Sequence, residues 1–176
     1  MEELTILHTG PLGVNTYILP LTEDTVLIVD PAACSFTGDE DKITGWLREH
    51  DKHPAGIFVT HGHFDHITGI GTLKRAYASC PVAIHTDDAL ALGGNAVSSQ
   101  ISFLPRLGLQ GIEAALQDVP AADFVFQGGE TLDMIYKGEY DEKTKDALSK
   151  WKIIHTPIRD NFFVNLNAIS IYSRPL

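Results

Sequence analysis

Apolar residues in the first third of the chain fall into short, β-branched runs separated by turn residues. Positions 4–8 and 14–19 read as strands, joined across Gly10-Pro11-Leu12-Gly13, a segment with strong turn chemistry. Thr25-Val26-Leu27-Ile28-Val29 is a continuous apolar run that stops at Asp30-Pro31, the pattern of a strand covered on both faces. Helical spacing takes over at Ile43, Trp46, Leu47 and His50, with Asp39, Glu40 and Asp41 near the positive end of that helix. Positions 56–59 are again strand-like. A helix opening at Asp65 or Thr68 then puts Ile67, Ile70, Leu73 and Tyr77 on one face. Past Pro81, 82–85 reads as a strand and 87–92 as a short helix. Residues 93–128 mix a weak helical piece at 112–117 with Pro105, Gly108, Gly111 and Pro120, the composition of a loop-rich lid or connection. Gly128-Gly129 turns the chain into 131–136, whose alternation predicts a strand, and 151–157 predicts another. The closing run, 162–172, is also strand-like.

Strand, helix, strand and loop thus arrive in the order of an α/β layer, where ligands gather at the carboxyl ends of strands. With 176 residues, 44% hydrophobic and 20% charged, the chain reads as one globular domain over 1–176. No apolar run approaches the ~18 residues of a membrane span. The first residues lack the basic and apolar regions of a secretory signal, and Cys34 and Cys80 form no C-x-x-C pair. A cytoplasmic protein with two free thiols is the expectation, with a single disulfide in an exported protein as the alternative. The formal net charge of −10 argues against a nucleic-acid partner, because an acidic surface repels phosphates. The stretch 137–152 interleaves lysines with Glu139, Asp141, Glu142 and Asp146, as on a solvated face.

Candidate chemistry is concentrated in Thr60-His61-Gly62-His63-Phe64-Asp65-His66, directly after the strand at 56–59. Three imidazoles and a carboxylate at His-x-His-x-Asp-His spacing form a donor set for zinc and its first-row neighbours. His61 and His63, two apart on extended backbone, point to one side, and Asp65 and His66 begin the following helix. One metal or two neighbouring metals can be presented with ligands in this way. A His-rich surface loop is the plainer alternative. His85, at a strand end, is expected to be structural; His8, His50 and His53 lack ligand spacing. No G-x-S-x-G elbow or Ser-His-Asp arrangement is visible, and neither cysteine has an evident His partner.

Together with Asn15-Thr16-Tyr17, Ile28-Val29-Asp30-Pro31, Gly129-Glu130-Thr131-Leu132 and Ile154-His155-Thr156-Pro157, the histidine segment resembles the metallo-β-lactamase superfamily. Within it, the similarity is to glyoxalase-II-like (hydroxyacylglutathione hydrolase-like) thioester hydrolases, over roughly residues 4 to 157. The resemblance implies an αββα sandwich in the α/β (α+β) class, incomplete in its carboxyl-terminal half. It implies that His61 and His63 bind a first metal and Asp65 and His66 a second. The implied metal is zinc, with iron or manganese as alternatives. Asp30 is implied as a supporting carboxylate in the second shell of the site, beside the reading in which it caps the backbone at the Asp-Pro turn. Catalysis would use metal-bound hydroxide against the carbonyl of a small-molecule thioester, with Asp65 orienting the nucleophile.

The pattern departs from the family after Pro157. Ile158 and Arg159 stand where the family places Gly-His, and the atypical tail 158–176 contains no His and only Asp160 as an acid. A frameshift or truncation is the expected origin, with divergence as the alternative. Weak, single metal occupancy and impaired activity follow. His155 is a possible replacement ligand. An inactive remnant serving as a binding module is the alternative function, and a superfamily nuclease a weaker one. A sheet lacking its closing strands should expose an edge. The run 162–172 is therefore expected to fill the vacant strand position or to pair with a second copy of the chain.

Overall fold

In a computed structural model describing residues 3–101, 104–158 and 166–173, with side chains described as far as His155, six strands form the main sheet. Arg159, Asp160 and the 162–165 part of the closing run lie outside the described residues. The strands are β1 (Thr5–Thr9), β2 (Val14–Pro20), β3 (Thr25–Val29), β4 (His53–Val59), β5 (Val82–His85) and β6 (Phe124–Phe126), neighbours in sequence order. β1, β2 and β3 are antiparallel; β3 to β6 run parallel. Parallel neighbours need crossovers, and α1 (Lys42–Glu49) carries the first, from β3 to β4.

The apolar runs of β3, β4 and β5 are continuous because both faces of the sheet are covered. Val26, Ile28, Ile57, Val59, Val82 and Ile84 face one side, where Ile43 and Leu47 of α1 meet them. Leu27, Val29, Phe58, Ala83 and Phe126 face the other, against Leu132, Ile135, Tyr136, Leu148 and Ile153. After β4 come two short helices, α2 (Phe64–Ile67) and α3 (Ile70–Ala76). The break between them is held to the end of β3: Thr68 Oγ1 donates to Ala32 O at 2.8 Å and Gly69 N to Pro31 O at 2.9 Å. The expected helical face is present, since Ile67, Ile70 and Leu73 are all buried.

Residues 93–128 are more structured than their composition predicts. They hold α4 (Ala96–Gln100), α5 (Glu113–Gln117) and the edge strand β6, beside 3-10 turns at Gly93–Asn95 and Leu104–Leu107. The helix expected at 87–92 is a 3-10 turn, Thr86–Ala91. The strand expected at 131–136 is instead a helix, α6 (Leu132–Ile135). The buried residues Leu132 and Ile135, with Tyr136 just past the helix end, stand at i, i+3 and i+4, while Met134 is exposed, so the helical period governs burial here. Only Thr131 keeps a strand-like bridge, to Lys152.

The charged stretch forms α7 (Glu142–Ser149), capped by the Asp141 carboxylate, which accepts from Thr144 N at 2.7 Å. β7 (Trp151–Ile158) and β8 (Leu166–Ser173) make a separate antiparallel pair, from Trp151↔Ser173 to Ile158↔Leu166. Thus the described part of the closing run pairs within its own chain. No helix among the described residues is long and apolar enough to cross a membrane.

Tyr136 OH donates to Ile57 O at 2.8 Å and Tyr140 OH to Ala55 O at 2.7 Å, fastening the α6 region to the strand that leads into the histidine segment. Gly56 lies under that contact: a Cβ there would sit 2.5 Å from Tyr136 Cε1. Gly56→Ala is expected to cost about 1–3 kcal/mol by overpacking, read from urea unfolding. Burial also pushes the Cys80 thiol up to about 12, with Lys74 opposing and Asp123 adding, and pushes the Tyr140 phenol up to about 12. Tyr136 is raised well above the ordinary phenol range by its burial. The unfolded chain sheds these protons from about pH 9 upward while the native protein keeps them, so stability falls as pH rises through that range. Unfolding free energies measured from pH 7.5 to 11 should decline, and Cys80→Ala should make the decline shallower.

Candidate metal centre

The centre is built where two parallel strands end side by side. Asp30 closes β3 with φ 52°, in the left-handed region that Asp tolerates better than most residues, and its N–H pairs with Phe58 O of β4. Its carboxylate, 4% exposed, turns toward the segment leaving β4. Oδ1 accepts from Thr60 N at 2.8 Å and Oδ2 accepts from Thr60 Oγ1 at 2.7 Å. Oδ2 also lies 2.9 Å from His66 Nδ1, an ion-pair contact whose N–H is not aimed squarely enough for a directed hydrogen bond. Asp30 therefore satisfies a backbone donor of the neighbouring strand end and faces an imidazole at the same time.

These contacts determine the imidazole tautomers. The Thr60 hydroxyl has one proton, and Asp30 receives it. Toward His61 Nδ1, 3.0 Å away, the same oxygen can only accept. His61 is thus protonated at Nδ1 and carries its lone pair on Nε2. His66 turns Nδ1 to the Asp30 carboxylate, leaving Nε2 3.6 Å from Asp65 Oδ2. The His61 ring lies 4.7 Å from that of His63 and 4.0 Å from that of His66, centre to centre. Burial, reinforced by His66 and His63 and opposed by Asp30, lowers the His61 pKa to about 3; burial lowers that of His63 as well. Burial acts the same way on His66, but the charges of Asp30 and Asp65 outweigh it and the net shift is upward.

The donor set fits a divalent transition-metal ion in kind: three imidazoles, a buried carboxylate and a supporting acid behind them. Convergence is less complete. Among the described residues, no three His, Cys, Asp or Glu side chains are disposed to hold an ion between them as they stand. Beside the cluster, a cleft of about 470 Å³ is lined by Gly13, Val14, Asn15, Tyr17, Asp30, Thr60 and His66. A separate cavity of about 280 Å³, lined by Trp46, His50 and Lys52 among others, shares no residue with the histidine cluster.

The remaining candidates have other partners. His85 is buried, donates from Nε2 to Gln127 O at 3.0 Å and accepts Asp87 N at 3.2 Å on Nδ1, as expected of a structural histidine. His155, the possible replacement ligand, stacks on His85 at 4.3 Å. His50 stacks on Trp46, and Cys34 and Cys80 are buried free thiols. Two side chains that sequence spacing does not single out, Asp88 and Gln100, reach the histidine segment from residues 86–100. Asp88 Oδ2 accepts Gly62 N at 3.3 Å. Gly62 itself is needed for close approach, because a Cβ there would lie 2.3 Å from Ala91 Cβ.

A family model described as "Metallo-beta-lactamase superfamily" matches residues 9–146. The chain belongs to the metallo-beta-lactamase superfamily. Relatives within that superfamily include the "Probable metallo-hydrolase YqgX" of Bacillus subtilis, 33% identical over 79 residues, 45% of this chain and 34% of that protein. The hydroxyacylglutathione hydrolase of Bdellovibrio bacteriovorus is 37% identical over 75 residues, 41% of this chain and 27% of that one. The chain thus matches about a third or less of these relatives' length. Among solved structures, the BLEG-1 B3 metallo-beta-lactamase superposes with a TM-score of 0.64 at 21% identity, over 97% of this chain and 67% of the other. TTHA1623 in a di-iron-bound form gives 0.65 at 20% identity, over 96% and 66%. The superfamily's mixed α/β fold is therefore present, over part of the neighbours' extent.

Removal of the Asp30 carboxylate should be costly. Asp30→Ala leaves Thr60 N–H without its acceptor and strands a non-glycine residue at positive φ, an expected loss of about 2–4 kcal/mol. Asp30→Asn, which keeps an acceptor and tolerates that backbone, should lose less. Chemical denaturation ranks the two, and nitrogen-15 spectra of the wild-type imidazoles should show His61 as the Nδ1–H tautomer.

Proposed function

We propose that this chain carries the metal-binding part of a hydrolase that cleaves small-molecule thioesters. The observation that carries the reading is the His61, His63 and His66 cluster, braced by Asp30 and bordered by the cleft. The names of the Bdellovibrio relative and of others like it supply the thioester class. His61, His63, Asp65 and His66 would hold the ion, zinc in the first instance, with iron or manganese as alternatives. When bound, such an ion makes hydroxide available near neutral pH and polarises an acyl carbonyl.

The chain's own residues have separable tasks. Depressed pKa values keep His61 and His63 neutral, so their lone pairs are offered without loss of a proton. Asp30 and Thr60 hold the His61 and His66 rings in orientation. Asp65, 9% exposed and beside His66 Nε2, would orient a nucleophilic water and receive its proton. Asn15 and Tyr17, with the 13–14 backbone, form the wall against which a substrate would lie. The two buried thiols and the acidic balance support a cytoplasmic protein that acts on small molecules and not on nucleic acid.

A second reading, a metal-poor domain acting as a binding module, is favoured by two observations. The four donors do not yet converge, and Ile158 and Arg159 follow Pro157 where the family has a ligand. Metal content and turnover separate the two. The hydrolase reading expects bound zinc, iron or manganese and cleavage of a hydroxyacylglutathione thioester, abolished by His61→Ala and strongly reduced by Asp65→Asn. A chain that remains metal-free after incubation with each ion and leaves the thioester intact would overturn the hydrolase reading and favour the binding module.

A further inference from the structure

Gln100, the last residue of α4, is 3% exposed, and both ends of its carboxamide bond to the histidine segment. Nε2 donates to Gly62 O at 2.9 Å, and Oε1 accepts the Phe64 N–H. The two groups it holds flank His63. Reversing the amide would set donor against donor and acceptor against acceptor, so its orientation follows from its partners. Phe64 N–H belongs to the first turn of α2, where a helix offers no internal acceptor. His63, extended at φ −70°, ψ 146° in the N-cap position, makes no capping bond with its own side chain. Gln100 thus does the work of a cap from 36 residues away. It also restrains the peptide on the other side of the same residue.

We infer that Gln100 is a positioning residue, which presets the His63 imidazole beside His61 by clamping the peptide groups on either side of it. The inference rests on the proposal above that this segment holds a metal ion. Asp88 on Gly62 N and the close approach of Ala91 to Gly62 brace the same turn from the same side. Together they make residues 86–100 the back wall of the segment. A ring carried on a short strand-to-helix connection needs such restraint, because a shift in backbone angles at one residue swings its donor atom away from its neighbours.

Gln100→Leu, nearly isosteric, and Gln100→Ala remove the clamp. Leu116→Ala, buried in the same core on α5, serves as the control for lost stability alone. Two readouts are used: cobalt(II) titration followed by its visible absorption bands, and amide hydrogen exchange of the metal-free protein. Both Gln100 variants should bind cobalt(II) about 10–100-fold more weakly, with altered bands. Exchange at Phe64, protected in the wild type, should quicken about tenfold or more in both variants. Leu116→Ala should lower the melting temperature yet keep wild-type cobalt affinity and bands. Wild-type cobalt binding by Gln100→Leu would overturn the inference, as would a Phe64 amide unprotected in the wild type. If the wild type takes up no cobalt, the metal proposal fails and exchange decides on Gln100: acceleration confined to 62–64 upholds the clamp, and unchanged Phe64 exchange overturns it.

Discussion

A single buried carboxylate ties the sheet to the candidate centre. Asp30 stands at the end of β3 beside the end of β4, and a charge in that position must be met by donors or neutralised. Thr60 supplies two, through its N–H and its hydroxyl, and His66 faces the same oxygen. These contacts fix the spacing of the two strand ends, the path of the chain out of β4 and the tautomer of His61. The positive φ of Asp30 belongs to the same arrangement, because it turns the side chain across β3 toward β4 instead of continuing the strand. Structure and chemistry are therefore coupled at one residue. A change that frees the carboxylate loosens the two strand ends and the imidazoles together.

The rest of the fold explains why those strand ends are firm. β3, β4 and β5 are covered on both faces, so their alternating side chains anchor them in two separate apolar clusters. The stacked pair Phe58 and Phe126, with ring centres 5.0 Å apart, and the phenols of Tyr136 and Tyr140 hold the side away from α1. The helix that carries Asp65 and His66 is in turn fastened to the 31–32 backbone through Thr68 and Gly69. Both halves of the histidine segment are thereby referred to the end of β3, one through Thr60 and one through the break between α2 and α3.

What could be read from sequence follows from the range of the interactions involved. The strands at 25–29, 56–59 and 82–85 are marked by burial on both faces, a local signal. The histidine cluster is legible because its donors lie within six positions. Asp30 is legible in part, from its place at a strand end, although the partner it satisfies is 30 residues away. Gln100 and Asp88 carry no local signal, since a lone amide or acid in a Gly- and Pro-rich stretch looks like surface. Only folding brings them 26 to 38 positions back to Gly62 and Phe64. The helix at 132–135 is hard to tell from a strand because six residues with four apolar positions satisfy both periods loosely, and only the burial of Leu132, Ile135 and Tyr136 discriminates between them. β6 escapes notice because three residues at a sheet edge leave no pattern to count.

The same reasoning bears on what the centre can hold. Donors drawn from six consecutive residues approach an ion from one side, since they share a single backbone turn. A closed coordination sphere needs a contribution from another element, and the resemblance implies that it would come directly after Pro157. Ile158 offers no donor there, and Arg159, cationic at any physiological pH, repels a dication if it faces one. An ion held as proposed would keep open positions for water and be bound more weakly than in a structural site. In such a half-shell, affinity depends less on the number of ligands than on how firmly each is held in place. The restraints on this turn, Asp30 in front and the 86–100 wall behind, therefore weigh more here than they would around a complete set of ligands.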